Sequence, residues 1–133
     1  MKKILVINPI ITFRNIGPWV ELQTRNMGIE QRLEGAVGID IPVLELGGNL
    51  KKTARYLVDA ARDLIESKGA EVIILGCTGM APVARIVKEE LEVPVIEPMA
   101  TAFKVAELIV SLKLTHSKTG LYMTPNKGKI KIY

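Results

Sequence analysis

Cys77 is the single cysteine among 133 residues. It stands in Gly76-Cys77-Thr78-Gly79-Met80, directly after the apolar run Val72-Ile73-Ile74-Leu75. If that run is a strand that turns into a helix, the sulfur meets unpaired amide donors and the positive end of the helix. Both favour a thiolate over a thiol, and the thiolate is the reactive form. Gly76 and Gly79 let a ligand approach the backbone closely. Thr78 adds a hydroxyl suited to a carboxylate or carbonyl oxygen. The other role open to a lone cysteine is that of a small buried hydrophobe.

Two more residues fall at the ends of apolar runs. Asn8 follows Ile4-Leu5-Val6-Ile7 and precedes Pro9; it can bind a substrate oxygen or make an Asx-type turn. Glu97 follows Val93 to Ile96 and precedes Pro98; it can serve as a base or acceptor at the site, or cap the next helix. His116 lies beyond the last helical pattern, where a basic residue near a helix C-terminus is ordinary. No group of His, Cys or carboxylates has metal-ligand spacing. Gly-x-Gly-x-x-Gly is absent after the first apolar run, which weakens any dinucleotide reading. No metal is therefore expected from the residues themselves.

The elements that must position these residues alternate. Ile4 to Ile7 reads as a strand buried on both faces. Pro18 is suited to the first turn of a helix running to about Met27. Residues 36–46 read as a second extended segment, in which Pro42 marks an edge strand or a part beyond the sheet. Asn49 is a good N-cap for a helix whose Leu50, Ala54, Leu57, Val58, Ala61, Leu64 and Ile65 share one face, and Gly69 ends it. Val72 to Leu75 is the third strand, Met80 to Leu91 a helix with Met80, Val83, Ala84, Val87 and Leu91 inward, and Val93 to Ile96 the fourth strand. Met99 to about Leu112 closes the series, with Ala102, Phe103, Ala106, Ile109 and Val110 expected inward. Strands joined by helices of this length imply right-handed crossovers and a parallel sheet flanked by helices.

The chain suits one domain over 1–117, followed by a basic tail over 118–133. Its net charge of +4 resides wholly in Lys118, Lys127, Lys129 and Lys131, so the body is neutral. A nucleic-acid binder carries its basic patch on the folded face, so no nucleic-acid partner is expected. Lys129 to Tyr133 alternates like an edge strand. Met1-Lys2-Lys3 and the apolar residues after it only faintly imitate a signal peptide, and no apolar run reaches a membrane span. A cytoplasmic protein without a membrane partner is expected, and the lone cysteine fits a reducing compartment.

The stretch from Gly69 to Gly120, GAEVIILGCTGMAPVARIVKEELEVPVIEPMATAFKVAELIVSLKLTHSKTG, resembles the end of the hydantoin racemase branch of the aspartate/glutamate racemase superfamily. The upstream IDIPVLEL with its long helix and the opening MKKILVINP are similar to the same branch. The resemblance implies a flavodoxin-like three-layer α/β domain with a parallel four-stranded sheet in the order 2-1-3-4. It implies a cofactor-independent racemase or epimerase whose two similar domains each bring a cysteine to the interface. Cys77 would be one acid-base group, acting at the α-carbon of an amino acid, hydantoin or related small acid. Thr78 and Gly79 would contact its carboxylate or carbonyl oxygens, and Asn8 and Glu97, from their place at the strand ends, are further candidates for binding it. Gly79 stands where the glutamate racemase branch usually has histidine. With one domain and one cysteine, the chain is similar to a second domain alone. A homodimer sharing one site is then expected, and a non-catalytic domain binding a small carboxylate or a protein partner is the alternative.

Overall fold

The structure, a computed structural model, describes residues 4–10 and 16–124, with side chains from residue 16 onward. It is an α/β fold. In chain order come β1 (Ile4–Ile10), α1 (Gly17–Asn26), β2 (Leu33–Pro42), α2 (Leu50–Lys68), β3 (Val72–Leu75), α3 (Ala81–Glu90), β4 (Val95–Ile96) and α4 (Pro98–Ser111). The strands form a parallel four-stranded sheet in the order β2-β1-β3-β4.

This order fixes where the helices go. The chain steps from β1 to β2 in one direction, then crosses back over β1 to reach β3 and β4. With right-handed crossovers, α1 lies on one face of the sheet, and α2 and α3 on the other. The core fills the second interface. Ile39, Ile41, Ile73 and Leu75 from the sheet meet Leu57, Ala61 and Leu64 of α2 and Val83 and Val87 of α3.

Local chemistry accounts for the elements. Asn49 caps α2 by accepting the Lys52 N–H at 3.0 Å. Gly69 ends it at φ 67°, a left-handed conformation that glycine adopts freely. Pro18 and Pro82 sit in the first turns of α1 and α3, where a missing N–H costs nothing. Arg62 of α2 donates to the Glu90 carbonyl at the end of α3 at 3.1 Å, tying the two helices together.

Several boundaries differ from the sequence-based expectation. β1 does not stop at Ile7 but continues through Asn8-Pro9 to Ile10, with Pro9 paired to Ile39 of β2. β3 pairs with β1 only as far as Ile7, so the missing Pro9 N–H interrupts no ladder on that side. β2 begins at Leu33 and ends at Pro42; Val43–Glu45 forms a 3₁₀ turn rather than more strand. Another 3₁₀ turn, Thr78–Met80, precedes α3.

The chain divides into two compact units, Met1–Ala102 and Phe103–Tyr133. In α4, Ala102, Phe103, Ala106, Ile109 and Val110 are exposed, not inward. So short a second unit has too little chain to cover them by itself. The alternating Lys129–Tyr133 segment lies outside the described residues. Among the described residues, no helix is long and apolar enough to cross a membrane.

Candidate functional site

The chain's first two crossovers run in opposite directions from β1, so the strand order reverses between β1 and β3. In open parallel sheets, ligands bind outside the carboxyl ends at such a reversal. Register brings two of the expected residues, Asn8 and Glu97, to this end beside the Cys77 turn. Ile7 pairs with Leu75, which puts Asn8 level with Gly76; Ile74 pairs with Ile96, which puts Glu97 level with Leu75. The Asn8 side chain lies outside the described residues.

Cys77 occupies the turn between β3 and α3 in an extended conformation, φ −138° and ψ 135°. It is half-buried. Its Sγ accepts the Gly79 N–H at 3.4 Å, and its carbonyl accepts the Met80 N–H at 3.0 Å. Thr78, between them, is exposed. The turn therefore closes its backbone on itself, with Cys77 packed partly against the core and Thr78 exposed beside it.

The turn is held from beneath. Met80 is fully buried at 0% exposure, one residue past Gly79. A Cβ at Gly79 would come within 3.1 Å of Leu46 Cδ1 and 3.5 Å of Cys77 Sγ, with Val43 Cγ1 at 3.9 Å. The Val43–Leu46 segment thus packs directly on the turn, and a larger residue at position 79 would need Leu46 to shift by a few tenths of an ångström. That segment is in turn anchored by the buried Thr53 hydroxyl, which donates to the Leu46 carbonyl at 3.1 Å. Thr53, Leu46 and Val43 were not among the expected site residues. Thr53 announces itself only as a hydroxyl on the apolar face of α2, beside Ala54 and Leu57. Thr53→Val removes the bond and leaves the Leu46 carbonyl short of a partner. Urea unfolding should show a loss of about 1–2 kcal/mol.

Glu97 is buried at 6% exposure. Oε1 accepts the Met99 N–H at 2.6 Å and Oε2 accepts the Ala100 N–H at 2.7 Å, while its carbonyl accepts the Thr101 hydroxyl at 2.8 Å. The carboxylate thus caps α4 and meets the positive end of the helix. Glu97→Ala leaves both amides without that acceptor, with an expected loss of about 2 kcal/mol in thermal or urea unfolding. Glu97→Asp, with a shorter cap of the same charge, should recover part of it.

His116 sits among Lys118, at 2.9 Å from Nε2, and Tyr122, whose ring is edge-on at 4.9 Å. At the start of α1, Ile16 is half-buried and Trp19 is 60% exposed. Among the described residues, no three His, Cys, Asp or Glu side chains come together as a metal site would require.

Comparison with known proteins gives a consistent picture. Residues 10–106 match the family model described as Asp/Glu/Hydantoin racemase. The chain is 35% identical over 103 residues to a hydantoin racemase of Paenarthrobacter aurescens, covering 77% of this chain and 44% of the relative. It is 30% identical over 116 residues to one of Rhizobium meliloti, covering 87% and 48%. An allantoin racemase structure from Klebsiella pneumoniae superposes with a TM-score of 0.82 at 27% identity, over 98% of this chain and 52% of that one. One from Pseudomonas fluorescens superposes with a TM-score of 0.78 at 30% identity, over 99% and 54%. The chain spans about half the length of these relatives.

Proposed function

Because the chain belongs to the Asp/Glu/hydantoin racemase family, we propose that it transfers a proton at the α-carbon of an amino acid, hydantoin or related small acid, without a cofactor. The domain is read as a flavodoxin-like three-layer unit with Cys77 as its acid-base group. The observation that carries this reading is the position of Cys77: half-buried, at the carboxyl end of β3, beside the strand reversal.

In the proposed step, the Cys77 thiolate takes the proton from the α-carbon and becomes a thiol. The electron pair left on carbon spreads into the adjacent carbonyl or carboxylate. A second thiol returns a proton to the opposite face and becomes a thiolate, which inverts the centre. The Thr78 hydroxyl and the backbone at Gly79, with Asn8 on the neighbouring strand, hold the oxygens of the substrate. Glu97 acts at this end by fixing the start of α4, which it caps through both of its oxygens.

The chain holds one cysteine, and inversion by this route uses two thiols. The second is supplied by another copy, in a homodimer that sets the carboxyl ends of the two sheets face to face. The lone cysteine also favours a second reading: a domain that binds a small carboxylate or a protein partner without turnover. Deuterium uptake from heavy water into the α-carbon of hydantoins and small amino acids, followed across a range of protein concentration, separates the two. A shared site gives uptake per chain that rises with concentration as dimers form. Ligand binding without uptake at any concentration would sink the proton-transfer reading.

A further inference from the structure

We infer that Thr53 is a positioning residue for Cys77: from α2 it fixes the clamp that keeps the Gly79 amide on the sulfur, and so it governs the reactivity of the thiol. The inference rests on the reading of Cys77 as the acid-base group. Among the described residues, the Gly79 N–H is the one donor to the Cys77 sulfur, at 3.4 Å. A donor on an ionisable atom favours its charged form. The chemistry of the sulfur therefore follows the placement of this amide.

Gly79 has no side chain with which to anchor itself. What rests on it is Leu46, whose Cδ1 lies 3.1 Å from where a Cβ would stand, with Val43 Cγ1 at 3.9 Å. The contact is with backbone, so no flexible side chain absorbs a shift of Leu46 before it reaches the amide. Val43 and Leu46 meet Gly79 together because a 3₁₀ turn, here Val43–Glu45, repeats every three residues. Leu44 and Glu45, between them, line an open cleft of about 350 Å³ with Thr53. The segment is thus a thin wall, with the Cys77 turn on one side and the water of the cleft on the other.

The wall is pinned at the Leu46 carbonyl. A threonine within a helix commonly returns its hydroxyl to a carbonyl three or four residues back. Thr53 instead reaches seven residues back, out of α2, and donates to Leu46 at 3.1 Å. Its own N–H is committed to the Asn49 carbonyl at 2.9 Å, so the hydroxyl alone serves Leu46. Both residues are buried, and α2 beneath them is fixed by its cap and by Leu57 and Ala61 in the core. Without the hydroxyl, the Leu46 carbonyl is left short of a partner and gains one by turning toward the water of the cleft. Leu46 then draws off Gly79, and the amide leaves the sulfur.

Full-length variants test this. Thr53→Val keeps the volume and loses the hydroxyl; Thr53→Ser keeps the hydroxyl and loses the methyl. Val58→Ala loosens the same helix at a buried position away from the clamp. The readout is the alkylation rate of Cys77 at neutral pH divided by its rate in alkali, where the thiol is fully ionised. Access to the sulfur scales both rates and cancels in the ratio. Thr53→Val is expected to lower the ratio by roughly three- to tenfold, the worth of one hydrogen bond. Thr53→Ala is expected to follow valine, while Thr53→Ser and Val58→Ala stay near wild type. A packing role gives the opposite order, with serine worse than valine, and overturns the inference. So does a Thr53→Val ratio equal to wild type, or a loss in Val58→Ala as great as in Thr53→Val. Alkylation needs no substrate, so the two readings fail separately. The expected ratios without deuterium uptake in the wild type would remove the proton-transfer reading and keep Thr53 as the residue that places the sulfur's donor; uptake with unchanged ratios would do the reverse.

Discussion

Cys77→Ser is expected to lower α-carbon deuterium uptake by at least about a thousandfold while leaving the domain folded. Positioned acid-base groups contribute on the order of 10²–10⁴ in rate, and the largest factors arise where one group does the work alone. A serine hydroxyl of ordinary acidity carries almost no alkoxide at neutral pH, so it cannot replace a thiolate as the base. The volume change is small, and Cys77 is half-buried at a turn, so the unfolding midpoint should move little. The variant loses chemistry without losing structure, which separates it from a folding defect. If wild type and variant take up deuterium equally, Cys77 is not the proton-transfer group. Thiol-specific alkylation of the wild type should abolish uptake to the same extent and leave the serine variant unaffected.

Met80→Ala is expected to cost about 3 kcal/mol of stability and, unlike an equally costly change elsewhere, to disturb the Cys77 turn. Met80 is fully buried, and large-to-alanine core substitutions lose roughly 2–5 kcal/mol through lost contacts and the cavity left behind. Leu57 on α2 is equally buried, so Leu57→Ala should cost a similar amount. The two differ in what their cavities adjoin. The Met80 side chain fills the core directly beneath the turn, one residue beyond the glycine that donates to the sulfur. Its loss frees the turn, so alkylation of Cys77 should accelerate in Met80→Ala under native conditions and stay near wild type in Leu57→Ala. Equal rates in the two variants would show that the turn is held by the Val43–Leu46 segment and not from the core.

The parts of the fold read most easily from sequence are those whose local chemistry and long-range packing agree. α2 is the plainest case: an asparagine cap, a continuous apolar face and a left-handed glycine all mark the same ends. Met80, Val83, Ala84, Val87 and Leu91 face inward as their spacing predicts. β1 and β2 are harder, because pairing overrides local signals. Pro9 ends a strand by its own chemistry, yet it remains in the ladder because the β3 side has already stopped. Leu33 to Gly38 contains Glu34, Gly35 and Gly38, poor strand formers that are drawn in by the apolar run of β1. At the site, composition finds Cys77 and Glu97 but leaves two roles open for each. The two amides on the Glu97 carboxylate are visible only in three dimensions. The support beneath the turn was not legible at all, since Leu46 and Gly79 are far apart in sequence and meet only when the sheet order brings them together. α4 fails in the opposite way: its apolar spacing is clear, but spacing does not say what covers a helix.

The placement of β1 between β2 and β3 has a consequence for how the chain is made. Ile4 is partnered on one side by Leu33 and on the other by Val72. A polypeptide growing from its N-terminus therefore delivers the inner strand first and one neighbour soon after, while the other neighbour waits until all of α2 has been synthesised. During that interval the emerging chain is a two-stranded ribbon with a bare second edge, and α2 has no β3 on which to rest Leu57 and Ala61. Two-stranded ribbons are marginal in water, and exposed intermediates of this kind are prone to wrong pairing. The nascent chain is thus most exposed to misassembly just before β3 leaves the ribosome. Ile73 and Leu75, each at 0% exposure, end that interval when they insert beside β1. The same event carries Cys77 into place, so the turn cannot form ahead of the sheet that supports it.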